Sequence, residues 1–342
     1  DIILPVGISF YTFQTLSYSL DMYNRKYAPE KSFLDFALFV TFFPQLVAGP
    51  IVRPDELIPQ FKSPVKATLL QFNHGMFLLT LGLFMKVVLA DSLLAGPADA
   101  VFSAGKDMNA IDAWMGVLAF SGQIFFDFGG YSTCAIGIAL CLGFTIRDNF
   151  FYPYAAIGFS DFWRRWHITL STWLRDYLYI PLGGNRKGII RTYINVMLTM
   201  LIGGLWHGAN WTFVLWGGLH GLYLAVEKYI QDKRKAHSHE PGPHPHLKPN
   251  FAHAMLTFFL VNITWVFFRA QDFTTAWSLL KSMFLFGNAK ELVLNYLDIL
   301  KVSVVITGMI IVHWQMRHKK VLTVAESKPW WSVGLVWTFL LV

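Results

Sequence analysis

Charge is what this sequence lacks most. Of its 342 residues 14% are charged and 54% hydrophobic, with a mean hydropathy of +0.43. Long charge-poor runs at that composition exclude an ordinary soluble domain and predict a polytopic helical membrane protein. No segment alternates apolar and polar residues as an outer-membrane barrel requires, so strands are excluded as the spanning element. Cysteine is scarce too, with only Cys134 and Cys141 present. Seven residues apart on one apolar helix they share a face but stand about 10 Å apart, which excludes a disulfide and leaves core packing. Acidic residues are outnumbered 21 to 28, giving a formal charge of +7. The Lys and Arg lie in short segments between apolar runs, where membrane topology accounts for them, so nucleic-acid binding is not implied. No internal repeat is evident, which speaks against transporters built from repeated halves. No signal peptide is visible. The chain starts at Asp1 and stops at Val342 inside WSVGLVWTFLLV, so it reads as a piece of a longer protein.

What is present centres on Thr192 to Val226, 35 residues without one Asp, Glu, Lys or Arg but with two histidines, His207 and His220. As one straight helix it would be about 52 Å long, well beyond the roughly 30 Å hydrocarbon core of a bilayer, so it must bend. Gly203, Gly204 and Gly208 weaken the helix there, and Asn210 is an N-cap for a second one. The break is predicted at or next to His207. Basic residues flank both ends, Arg186, Lys187 and Arg191 before and Lys228, Lys233, Arg234 and Lys235 after. By the positive-inside rule both ends are cytoplasmic and His207 lies at the deep end of a hairpin. Irregular backbone at that depth implies a cavity with His207 on its wall.

Elsewhere, Ile2 to Leu20 reads as a span, Phe33 to Val52 as re-entrant or kinked, and Arg53 to Lys66 as a loop or interfacial segment. A span is predicted over Leu69 to Leu89, with Lys86 snorkelling to the interface. Ala113 to Phe144 is too long for one crossing, and Gly129-Gly130 are predicted to divide it, with Asp127 near the joint. An intramembrane carboxylate is a site candidate or a structural hydrogen-bond acceptor, so Asp127 is placed in support of the site rather than in it. Further spans are predicted at Ala252 to Phe268, Ile299 to Trp314 and from Trp330, with Phe273 to Phe286 interfacial. The whole is predicted to be one all-α membrane-embedded domain, 1–342, with re-entrant and interfacial helices around a central cavity.

Ser160 to Leu178 reads as an amphipathic interfacial helix capped by Ser160, with Arg164, Arg165 and Arg175 on its polar side. His167 falls on the edge of the apolar arc, which predicts a packed, hydrogen-bonded histidine or one facing an internal cavity. Gln231 to Asn250 is rich in proline and histidine and reads as a flexible cytoplasmic loop rather than a metal site. No metal is predicted.

Thirteen residues separate His207 from His220, about 20 Å of rise and roughly 140° of rotation on a straight helix, so the two cannot share one small site. His220, within GGLHG, follows the pattern of close helix packing and is assigned a supporting role. The unperturbed pKa of histidine, about 6.5, lies close to the working range, so His207 and His167 suit proton removal from a hydroxyl. The arginines 164, 165 and 175 suit either a phosphate-bearing donor at the cytoplasmic mouth or anchoring to membrane lipid. On spacing alone the choice stays open between a membrane enzyme and a proton-coupled transporter, with a haem-binding cytochrome as a further rival.

Five segments narrow that choice: LPVGISFYTFQTLSY from Leu4, FFPQLVAGPIVRPDELIPQF from Phe42, FDFGGYSTCAIGIALCLGF from Phe126, DFWRRWHITLSTWLRDYLYIPLGGNR from Asp161 and GGLWHGANWTFVLWGGLHG from Gly203. Together they closely resemble the membrane-bound O-acyltransferase family, in its bacterial alginate O-acetylation branch. By that resemblance the WHG histidine, His207, is catalytic and the RRWH histidine, His167, is the second active-site residue; Trp206 and Asn210 flank the first. It also implies a cavity through the bacterial inner membrane, acetyl-CoA as cytoplasmic donor with no bound cofactor, a polysaccharide acceptor on the opposite side, and periplasmic partner proteins that pass the acetyl group on. By the same resemblance the family's first helices are expected to be missing ahead of Asp1.

Overall fold

The structure, a computed structural model, describes residues 7–63, 66–104, 108–237, 250–285 and 292–341. Among these residues there is no strand. Five helices are long and apolar enough to cross a membrane: Leu69–Ser103, Ala110–Cys141, Ile189–His207, Phe251–Arg269 and Tyr296–Gln315. Local chemistry starts several of them. Thr68 and Gln71 form a reciprocal capping box, and Asn109, Asn250 and Asn295 each accept a backbone N–H of the first turn.

The helices Leu69–Ser103 and Ala110–Cys141 pack along a seam of small residues. A Cβ on Gly82 would come within 2.6 Å of the Gly130 carbonyl oxygen, and one on Gly137 within 2.6 Å of that of Gly75. Both thiols point into this seam, Cys134 Sγ 3.5 Å from the Leu79 carbonyl and Cys141 Sγ 3.7 Å from that of Phe72. The predicted break at Gly129-Gly130 does not occur. Ala110–Cys141 is one continuous helix of 32 residues, because Gly130 supplies close approach to a neighbouring helix rather than a bend. Lys86 remains partly exposed. It lies in a π-helical stretch, Phe84–Ala95, and pairs with Asp91 at 2.9 Å and Asp127 at 2.5 Å.

Phe33 to Val52 is kinked as predicted, a helix Phe33–Thr41 followed by one 3-10 turn at Phe43–Gln45. The next segment contains a helix, Pro54–Phe61. Ser160 to Leu178 is not one helix. It divides into Phe159–Trp163 and Ile168–Leu174 with a π-helical turn Arg175–Tyr179, and His167 between them is left-handed at φ 41°. Ser160 is not the cap; the Phe159 and Ser160 N–H groups donate to Glu227 Oε2 at 2.6 and 3.0 Å. The predicted loop from Gln231 begins helical, since Trp211–His237 runs unbroken; 238–249 lie outside the described residues. Between the long helices sits one aromatic core that includes Tyr154, Phe162, Trp166, Trp216, Phe258 and Trp265. It holds the histidine-bearing segments against the scaffold.

Candidate active site

The hairpin forms as the glycines and Asn210 predict. Ile189–His207 ends on the histidine, Asn210 Oδ1 accepts the Thr212 N–H at 3.1 Å, and Trp211–His237 returns antiparallel. Gly204 and Gly217 face each other at the turn; a Cβ on Gly204 would overlap the Phe213 carbonyl, and one on Gly217 that of Met200. Such contact brings the aromatic residues of the returning helix onto His207. Its ring sits 4.7 Å from Trp206, 5.2 Å from Trp216 and 5.0 Å from Phe268, centroid to centroid. The residue is part-buried, and no hydrogen bond among the described residues engages its ring nitrogens. A lone pair in an aromatic, water-poor setting with no partner of its own is free to meet a substrate proton.

His167 is built differently. It is 2% exposed, and Nδ1 lies 3.1 Å from Asn149 Oδ1 while Nε2 is buried with no partner among the described residues. Its left-handed backbone, uncommon outside glycine, is held from both sides. The Ile168 N–H donates to the Asn149 carbonyl at 2.9 Å and the Phe151 N–H to the Arg165 carbonyl at 2.9 Å.

Two aromatic rings stand between the two imidazoles. Phe10 lies 6.4 Å from the His167 ring and 6.5 Å from Trp206, which in turn packs on His207. Beside them is a cavity of about 380 Å³ with Gln123, Asp127, Asn210 and Arg269 on its polar wall and Phe213 and Phe268 on its apolar one. His207 stands behind those two rings rather than on the wall itself. Asn210 thus has two duties, capping the helix and lining the cavity, where its Nδ2 donates to the Gln271 carbonyl at 2.7 Å.

The remaining residues singled out in the sequence fall into two groups. His220 is outside the site, fully buried with Nε2 3.0 Å from Thr264 Oγ1. Arg165 is not on a polar face. It is 8% exposed, with Nε bonded to Asp161 at 2.8 Å and Nη1 to the carbonyls of Phe151 and Arg317 at 3.2 and 3.0 Å. Arg175 is exposed but bonded to Asp176, which also holds Arg53 at 2.6 Å. Arg164 is exposed. Asn149 was missed by sequence reasoning because an asparagine in a loop, 18 residues before the histidine it holds, carries no local signal.

A profile of the membrane-bound O-acyltransferase family, MBOAT, matches residues 28–238, a stretch that contains both His167 and His207. The chain belongs to the membrane-bound O-acyltransferase family. As an MBOAT protein with five helices able to cross a bilayer, it is a multi-pass membrane protein of all-α fold. It is 46% identical over 287 residues to the probable alginate O-acetylase AlgI of Azotobacter vinelandii, covering 84% of this chain and 55% of that protein. Against the probable alginate O-acetylase AlgI of Pseudomonas aeruginosa the identity is 46% over 286 residues, 84% of this chain and 52% of the relative. The peptidoglycan O-acetyltransferase of Helicobacter pylori is 43% identical over 308 residues, 82% of this chain and 57% of the relative. The chain therefore spans about half the length of the curated MBOAT relatives it matches.

Proposed function

We propose that this chain carries the catalytic part of a bacterial inner-membrane O-acyltransferase. It moves an acetyl group from a cytoplasmic acyl thioester, acetyl-CoA, to hydroxyls of an extracytoplasmic polysaccharide, alginate or a related exopolysaccharide, directly or through a periplasmic partner protein. The observation that carries this reading is a pair of imidazoles from separate elements, linked through Phe10 and Trp206, with His207 packed behind the Phe213 and Phe268 rings of a polar-walled cavity. Family membership and the names of the relatives, acetylases of two different glycans, favour acyl transfer over proton transport.

In the proposed reaction the acceptor oxygen attacks the thioester carbonyl and its O–H proton passes to His207. Collapse of the tetrahedral intermediate breaks the C–S bond, and the thiolate leaves with a proton. Aromatic walls exclude water, which protects the thioester from hydrolysis and strengthens each electrostatic contact. General-base catalysis supplies about 10² to 10⁴ in rate. The test is purified protein in proteoliposomes with acetyl-labelled CoA and an oligosaccharide acceptor. Label should move to the sugar with the natural protein and not with His207→Ala, which should still insert and pack. Undiminished transfer by that variant would overturn the assignment; label crossing the bilayer with none on sugar would favour a transporter.

A further inference from the structure

The hydrogen bonds around Asn149 have only one self-consistent direction. Ile51 N–H gives its proton to Thr169 Oγ1 at 3.0 Å, and the Thr169 hydroxyl hydrogen goes on to Asn149 Oδ1 at 2.9 Å, an orientation fixed by the Thr169 backbone N–H, which can only donate. The Thr169 N–H points at the same oxygen from 3.3 Å. On the other side the Ala48 carbonyl, which can only accept, takes the Ser132 hydroxyl at 3.3 Å, leaving Ser132 Oγ to accept from Asn149 Nδ2 at 3.1 Å. Both chains place the amide oxygen, not the nitrogen, toward His167 Nδ1. Since that oxygen only accepts, the imidazole carries its hydrogen on Nδ1, and a neutral ring so protonated has a bare lone pair on Nε2.

We propose that Asn149 is a positioning residue of the transfer site: it locks His167 in the Nδ1–H tautomer, so that Nε2 serves as a hydrogen-bond acceptor toward substrate. This rests on the acyl-transfer reading above and sharpens it. A neutral His167 so held takes a hydrogen bond from an N–H or O–H of the bound donor or acceptor, and it has no hydrogen to give to an oxyanion. Residues of four separate segments, Ala48 and Ile51, Ser132, Asn149 and Thr169, converge on this one orientation. The rings around the imidazole are Phe10, Phe128 and Phe150, at 6.4, 4.7 and 6.5 Å. Beyond that shell, past Phe10 and Trp206, stands the imidazole of His207.

The test has two independent readouts on the full chain in lipid bilayers. Histidine-selective nitrogen-15 labelling, with the His167 signals assigned by their loss in His167→Gln, should show a protonated Nδ1 and an unprotonated Nε2 in the natural protein. Asn149→Ala should mix or reverse that pattern. In the transfer assay Asn149→Ala should lower kcat about 10- to 100-fold with little change in the donor KM. Asn149→Asp keeps an acceptor oxygen on Nδ1–H and should recover most of kcat. Its carboxylate favours the imidazolium, so protonation of His167, and loss of the lone pair, should begin at higher pH: the acid limb of the rate profile moves up by about one unit. A hydrogen on Nε2 in the natural protein overturns the lock, as does equal loss in the Ala and Asp variants without a shifted profile. Natural protein that shows the tautomer but transfers no acetyl group overturns the acyl-transfer reading instead.

Discussion

Two histidines share the hairpin, and what their nitrogens meet separates their duties. Thr264 gives its own hydroxyl hydrogen to the Val261 carbonyl at 2.7 Å, so it accepts from His220 Nε2–H at 3.0 Å, deep among Phe162, Trp163 and Trp216. That is a packing role. His220→Ala should leave a cavity and cost about 3 to 5 kcal/mol, the range for removing a buried ring, read as a lower thermal midpoint in detergent. Transfer per folded molecule should stay within about three-fold, since the site's own groups are untouched. The arginines divide in the same way. Arg165→Ala removes one side of a buried pair with Asp161 and strips the Phe151 and Arg317 carbonyls of a donor, so it should destabilise by about 3 to 5 kcal/mol. Arg164→Ala, exposed, should leave the thermal midpoint unchanged and raise the donor KM about three- to ten-fold, if its charge meets the donor phosphates. A titration of rate against donor concentration separates these outcomes.

At the scale of helices, glycine accounts for most of the arrangement. Gly82 abuts the Gly130 carbonyl, whereas nothing lies within 4 Å of where a Cβ on Gly96 of the same long helix would stand. Gly82→Ala should therefore force the seam apart, and thermal unfolding in one detergent should register a clear loss. Gly96→Ala should be neutral or stabilise by about 0.5 to 1 kcal/mol through helix propensity. The same residue type explains what the sequence could and could not show. The break at His207 was legible because Gly208 and Asn210 both weaken one helix and cap the next. Gly129-Gly130 carries a similar glycine signal, but Gly130 serves close packing, and only its partner on another helix, Gly82, reveals that. The His167 break was illegible for a different reason. Its amphipathic pattern runs on without interruption, and the backbone turns there because Asn149 and Phe151 bond across it from a distant loop. Of the site, the two imidazoles could be read from local motifs, while the group that orients one of them could not.

Orientation of the whole molecule follows from where the hairpin's charges and its apex lie. Arg186, Lys187 and Arg191 stand at the start of one arm and Lys228, Lys233 and Arg234 toward the end of the other, so all sit on one side. The Ile189–His207 arm, 19 residues, is about 28 Å long, enough to carry its apex across the hydrocarbon core. On the proposed reading, with the basic side cytoplasmic, the apex and the cavity residue Asn210 lie toward the opposite face, the side from which the acceptor would come. The proposed donor would then come from the cytoplasmic side. In a chain with Cys134 and Cys141 replaced by alanine, Asn210→Cys should react with a membrane-impermeant maleimide added outside intact spheroplasts, and Lys187→Cys only after permeabilisation. Bulk placed on position 210 should also block transfer to a polysaccharide while leaving hydrolysis or exchange of the donor intact, because it fills the acceptor's approach and not the thioester's. The opposite labelling pattern would invert the orientation and with it the assignment of the cavity to the acceptor.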